Sequence, residues 1–192
     1  AKNRIRDIPQ RTRTLERSMD NHRRPDFFNQ PHIRALPPEQ VFDEQVLRLA
    51  DFDPAALDIP TPAHITYGVY NGSHEALLTA VRDVDEDWVP YFNPGDRVFA
   101  AMDGEKVVSF CLLDDFGEYQ GLKIGAPGCV GTIPAYRKQG IGLRMIQLAT
   151  RQLKEDGYDL SWIHYTHVGH WYARLGYETV VQWNAHGIVK SA

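Results

Sequence analysis

The stretch from Gly128 to Gly157 constrains this chain more than any other. A β-rich run over Gly128–Ile133 leads into a loop over Pro134–Gly142, and a helix is predicted over Gly140–Asp156. Its apolar residues Ile141, Met145, Leu148, Ala149 and Leu153 recur at helical spacing, and Gly157 stops it. A strand that feeds a helix through a glycine-bearing loop leaves the first amides of the helix without intrahelical partners, at the positive end of the helix dipole. Glycines let a phosphate come close to that backbone, and Arg137 and Lys138 add positive charge. The segment therefore predicts an anion site, most naturally for a phosphate or pyrophosphate. Two common phosphate motifs are excluded. No Gly-Lys-Ser/Thr follows four residues after a first glycine, and Met145 stands where the third glycine of a dinucleotide fingerprint belongs.

The flanking pattern is mixed α/β. Ile65–Tyr70 reads as a strand and Asn71-Gly72-Ser73 as a turn. Ser73 then caps a helix whose apolar face is Ala76, Leu77, Leu78, Ala80 and Val81. Arg97–Met102 and Lys106–Leu113 form a hairpin around Asp103-Gly104-Glu105, and the glycines of Gly117–Gly128 end it. Strands follow over Leu160–Tyr165 and Glu178–Trp183, with a short helix over His170–Leu175 between them, and Ala185–Val189 could add one more strand. Upstream, Pro37-Pro38-Glu39 followed by Val41, Phe42, Val46, Leu47, Leu49 and Ala50 predicts a helix. Residues 51–63 carry three prolines and three acids and read as a linker. The expected organisation is a basic arm over 1–36, a helix and Pro-rich linker over 37–62, and one folded domain over 63–192.

The charge is split along the chain. Residues 1–36 hold nine Lys/Arg against four acids, whereas the whole 192-residue chain carries a net charge of −4. The arm could be a disordered tail or a segment that wraps the acidic body or a second copy of the chain. Phe27, Phe28, Ile33 and Leu36 would anchor such packing. Nucleic acid is not an expected partner, because the arginines are dispersed and no binding module is recognisable. A hydrophobic content of 43% excludes wholesale disorder. Cys111 and Cys129 are too few for a disulfide scaffold and read as buried free thiols. No apolar run approaches the ~20 residues of a membrane span, so the expected location is the cytoplasm. His164, His167 and His170 straddle a strand and a turn and are not expected to converge on a metal.

Arg137-x-x-Gly140-x-Gly142, preceded by a strand and Pro134-x-Tyr136, resembles the acyl-CoA signature of the GNAT superfamily of N-acetyltransferases. About thirty residues on, Trp171-Tyr172-Ala173-Arg174-Leu175-Gly176-Tyr177 is similar to a second segment of that family. The resemblance covers about residues 65–190. It implies a single α/β (α+β) domain: a mixed central sheet with a splayed pair of parallel strands, flanked by helices, plus an N-terminal extension. It implies acetyl-CoA as acyl donor and no metal. The backbone of Arg137, Lys138, Gln139, Gly140, Ile141 and Gly142 would hold the pyrophosphate, and Thr132 and Ile133 would offer backbone groups to the pantetheine arm and the oxyanion. Tyr172 matches the tyrosine that lies near the thioester sulfur. A phenol with a pKa near ~10 can supply a proton to the departing thiolate.

The family usually takes the amine's proton with a Glu or Asp on a central strand, or with a His. The strand over 128–133 has no carboxylate, so Asp114, Asp115, Glu118, His164, His167 and a water chain all stand as candidates. The acceptor is expected to be an amine, a small molecule rather than a protein. The acidic and aromatic run Asp83, Asp85, Glu86, Asp87, Trp88, Tyr91 and Phe92 is either a mouth for a cation or a solvated loop with its aromatics in the core. Rival expectations are a catalytically inactive member that senses acyl-CoA, transfer of a longer acyl group, and a phosphate-binding module without turnover.

Overall fold

The computed structural model describes residues 27–191. Most of the basic arm expected over 1–36 lies outside the described residues. Residues 27–36 form a 3₁₀ turn and a short helix α1 (Pro31–Arg34). Eight strands make one sheet: β1 (Phe42–Arg48), β2 (Ile65–Val69), β3 (Val98–Asp103), β4 (Lys106–Tyr119), β5 (Leu122–Thr132), β6 (Leu160–Thr166), β7 (Glu178–Asn184) and β8 (Gly187–Ser191). Their order is β2-β3-β4-β5-β6-β1-β7-β8. The helices are α2 (His74–Val84), α3 (Ile141–Glu155) and α4 (Gly169–Ala173). Ser73 caps α2, its side chain accepting from the Ala76 amide at 3.1 Å.

The helix expected after Pro37-Pro38 is instead strand β1, inserted between β6 and β7. Phe42 and Val46 join a cluster with Ile33, Trp162 and Trp183, while Leu47 joins the cluster that holds Leu175 and Tyr177. A strand covered on both faces carries an almost continuous apolar run, and such a run also satisfies helical spacing. Residues 117–128 likewise extend the hairpin they were expected to end. β4 and β5 are joined at Gln120-Gly121, whose φ values of 54° and 78° are those of a tight hairpin turn. The Pro-rich segment lies along α3: Gln147 donates to the Leu57 carbonyl and Lys154 to the Phe52 carbonyl, each at 2.8 Å.

All neighbouring strands are antiparallel except β5 and β6. That parallel pair holds together at Ile124–Leu160 and Gly125–Ser161. Beyond those residues β5 runs on to Thr132 and β6 to Thr166 without pairing, so the two strands splay apart. A bulge in β5 adds to the opening. The register slips between Phe110–Gly131 and Leu112–Gly128, and Cys129 has a φ of 46°. Gly125 faces Leu153 of α3, whereas Gly131, an even number of residues on, faces Val84 of α2. The extra residue switches the strand's faces.

Ile33 is fully buried against the second cluster. Ile33→Ala is therefore expected to cost about 2 kcal/mol or more, read as a lower urea midpoint with an unchanged slope. An unchanged midpoint would show that α1 contributes nothing to the fold.

Candidate active site

The end of β5 and the loop after it are fixed from several sides. The Ile133 amide donates to Val108 O of β4 at 3.0 Å. By the alternation of a strand, the Thr132 amide then points to the opposite edge, into the gap that β6 leaves. Thr132 O accepts from Arg137 Nε at 2.9 Å, and Thr132 Oγ1 lies 2.9 Å from Ser109 Oγ. Pro134–Tyr136 form a 3₁₀ turn, and the Tyr136 hydroxyl donates to Asp103 Oδ2 at 2.6 Å. The loop is thereby tied to the β3–β4 turn.

Lys138 and Gly140 have φ values of 61° and 78°. Two left-handed residues within three turn the chain sharply into α3, with Gly140 at its N-cap. Position 140 has a second constraint, because a Cβ there would lie 2.7 Å from Pro60 O. The first helical bond runs from the Arg144 amide to Gly140 O at 3.0 Å. The amides of Ile141, Gly142 and Leu143 have no carbonyl within the helix to bond. They open onto a cleft of about 480 Å³ lined by Thr132, Arg137, Lys138, Gly140, Ile141, Gly142, Trp171 and Arg174, with Asp58–Pro60 on one wall. Ile133 is buried beneath this cleft rather than lining it. The Gln139 side chain is exposed and bonds back to Ala135 O at 3.4 Å. Trp171 stands in the cleft wall. Asp58–Pro60, read as part of a linker, carry no motif that would have pointed to the site.

Tyr172 follows Trp171 on α4 and is buried. Its ring packs edge-on against Trp171 at 4.9 Å and against Tyr177 at 6.1 Å. Burial pushes its phenol well above the ordinary tyrosine range, and the neighbouring Cys111 and Tyr177 add to the shift. Tyr177 is held by Thr150 and Ser161 at 2.9 and 2.7 Å. One short helix thus carries a wall of the cleft, Trp171, and a buried tyrosine beside it, Tyr172.

The candidate proton acceptors separate clearly. Asp115 and Glu118 are exposed, and Asp115 caps the Gly117 amide at 2.7 Å. His167 is also exposed and lies edge-on to Phe42. His164 Nδ1 is bound to the Glu44 carboxylate at 2.8 Å. Glu44 itself is fully buried and accepts from Trp162 Nε1 at 2.7 Å, Trp183 Nε1 at 2.8 Å and the Tyr165 amide at 3.2 Å. This buried anchor was not legible in the sequence. Asp114 of β4 is half-buried, and its carboxyl is pushed up to about 6, first by burial and then by the Asp96 carboxylate. In the acidic segment Phe92 is buried and Trp88 packs on the core, while Tyr91 is exposed. Cys111 is buried and Cys129 half-buried, and both are free thiols.

Among the described residues no group of three or more His, Cys, Asp or Glu is disposed to hold a metal. None of their helices is long and apolar enough to cross a membrane.

Residues 94–179 match the family model of the acetyltransferase (GNAT) domain. This chain carries a GNAT domain. No protein of curated function matches it. Among solved structures, it is similar to a GCN5-related glucosamine N-acetyltransferase region of a fungal multi-domain GH3 beta-N-acetylglucosaminidase. The TM-score is 0.62 at 18% identity, over 76% of this chain and 20% of that one. It is also similar to a GCN5-related N-acetyltransferase from Sphaerobacter thermophilus, with a TM-score of 0.57 at 18% identity, over 77% of this chain and 51% of that one. The chain therefore spans between a fifth and about half of the length of these relatives. At such identities the likeness concerns the fold, and the fold is the GNAT one: a mixed sheet, a splayed parallel pair and a glycine loop entering a helix at the splay.

Proposed function

We propose that the chain is an acetyl-CoA-dependent N-acetyltransferase that moves the acetyl group directly to a primary amine in a ternary complex. The observation that carries this reading is a cleft at the splay whose donors suit a diphosphate and whose Trp171 wall is supplied by the helix that carries Tyr172. At its outer end lie the open amides of Ile141, Gly142 and Leu143 with Arg137 and Lys138, a donor set suited to a pyrophosphate. Toward the interior α4 continues from Trp171 to the buried Tyr172. The Thr132 amide faces the gap between β5 and β6, where an extended amide-bearing arm could be held as an added strand would be.

Within this reading the chain's own groups divide the work. The loop amides hold the diphosphate. The Thr132 amide donates either to the pantetheine arm or to the carbonyl oxygen as charge develops on it. Tyr172 donates to the departing sulfur. The acceptor is a small-molecule amine that enters on the face of the sheet covered by α2, where Asp83, Asp85, Glu86 and Asp87 favour a cation.

Calorimetric titration with acetyl-CoA, CoA and ATP tests the donor site, and a preference for ATP would overturn it. Thiol release over polyamines, aminoglycosides, amino acids and peptide N-termini tests transfer. Binding of acetyl-CoA with no thiol release from any of them would favour a sensor. Gly140→Ala places a Cβ both at a left-handed φ and against Pro60 O. It is expected to weaken acetyl-CoA binding at least about tenfold, or ~1.4 kcal/mol, in the same titration.

A further inference from the structure

Strand β5 carries no carboxylate of its own between Leu122 and Thr132, yet a carboxylate lies over it. Asp114 belongs to β4 and pairs opposite Ala126. Its side chain leans across to Gly128, where a Cβ would lie 2.2 Å from Asp114 Oδ2. Any side chain at position 128 would displace it. The carboxylate thus fills the space on β5 that a residue at 128 would otherwise take. The bulge begins one residue later, at Cys129, whose φ is 46°.

Asp114 shares the sheet face of Phe110 and Leu112, the face toward which Gly131 and Val84 of α2 also point. Tyr172 interacts with Cys111, whose side chain takes the other face by strand alternation. The titratable groups around Asp114 are Asp96 before β3, the Cys111 and Cys129 thiols, and Asp85 at the end of α2, which acts on the same Cys129.

We propose that Asp114, reaching over Gly128 from the neighbouring strand, takes the proton from the incoming ammonium group. The proposal rests on the acyl-transfer reading above. Asp114 removes one proton from R–NH₃⁺, and the freed nitrogen lone pair forms a C–N bond to the thioester carbonyl carbon. The C–S bond then breaks and its electron pair leaves on sulfur. The proton that the new amide nitrogen sheds passes to that sulfur by way of the Tyr172 hydroxyl. The products are the acetamide and CoA thiol, and Asp114 returns its one proton to solvent.

The test compares Asp114→Asn with the wild type on two nucleophiles at pH 7: an alkylamine that is protonated there, and hydroxylamine, which is already largely neutral. For the alkylamine turnover is expected to fall at least about 100-fold. For hydroxylamine it should stay within about threefold, with acetyl-CoA affinity unchanged. The acid limb of the wild-type kcat/KM profile, expected near the pH of about 6 at which Asp114 titrates, should disappear. Alkylamine turnover within threefold of wild type overturns the proposal. Equal losses with both nucleophiles also overturn it, since they indicate a packing role.

Folding is checked separately. A carboxyl raised in the folded state binds more protons folded than unfolded, so stability falls as pH rises from about 4 to about 6 and the penalty persists above that. Asp114→Asn should accordingly melt no lower than wild type at pH 7. Should it not fold, Asp114→Ser carries the same comparison. A wild type that binds acetyl-CoA but turns over no amine overturns the transfer reading itself and the proposal with it, an outcome seen before any variant is made.

Discussion

Glu44→Ala is expected to lower the stability of the chain by about 3–5 kcal/mol, the range for removing one partner of a buried charged group. For a domain of this size that is a fall of roughly 10 °C in melting temperature. Two indole N–H groups, one backbone amide and His164 converge on this fully buried carboxylate, and all four lose their acceptor together. A buried donor without a partner costs more than the bond it made. The position is also structural in a wider sense, since Glu44 ties β1 to both β6 and β7. Calorimetric melting is the measurement, with tryptophan fluorescence reporting on Trp162 and Trp183. A shift under about 2 °C would show that the carboxylate does not hold the cluster together.

Tyr172→Phe should lower turnover at least about tenfold, or ~1.4 kcal/mol of barrier, and leave acetyl-CoA affinity within about twofold. The ring's contacts with Trp171 and Tyr177 survive the substitution, so the fold and the cleft wall are retained. Only the hydroxyl is lost. The sign of the pH dependence follows from the direction of the shift. Burial raises the phenol, so it stays protonated to a higher pH than an exposed tyrosine and remains a donor across the neutral range. No loss of activity on the alkaline side should come from Tyr172 within the ordinary tyrosine range. Steady-state turnover with a saturating amine, together with calorimetric binding, decides the matter. Unchanged turnover would remove Tyr172 from the chemistry, and a matched loss of affinity would make it a wall of the binding cleft.

Much of the site's local structure is legible in the chain. The amphipathic residues of α3, its stop at Gly157 and the strand before it depend on neighbours within a few turns. So does the Asp103-Gly104 turn, and periodicity reports such neighbours well. Thr132, Arg137, Lys138, Gly140, Ile141 and Gly142 do come to one cleft, because a loop of that length has few ways to join a strand to a helix. The misreadings also have a common cause. Val41–Ala50 satisfies helical spacing, and the strand it forms is stabilised by β6 and β7, more than a hundred residues away. Glycines 125 and 128 look like turn residues in isolation. In the sheet they make room for Leu153, Tyr158 and Asp114.

What the sequence by itself determined is therefore the glycine loop, the helix behind it and the tyrosine segment that follows. Each is written in residues close together along the chain. Only the tertiary structure decided that β1 completes the sheet, that Trp171 and Asp58–Pro60 wall the cleft, and that a β4 carboxylate stands over β5. Those arrangements are made by pairs distant in sequence, and the cost of burying a polar group is settled by whichever partner the fold brings to it.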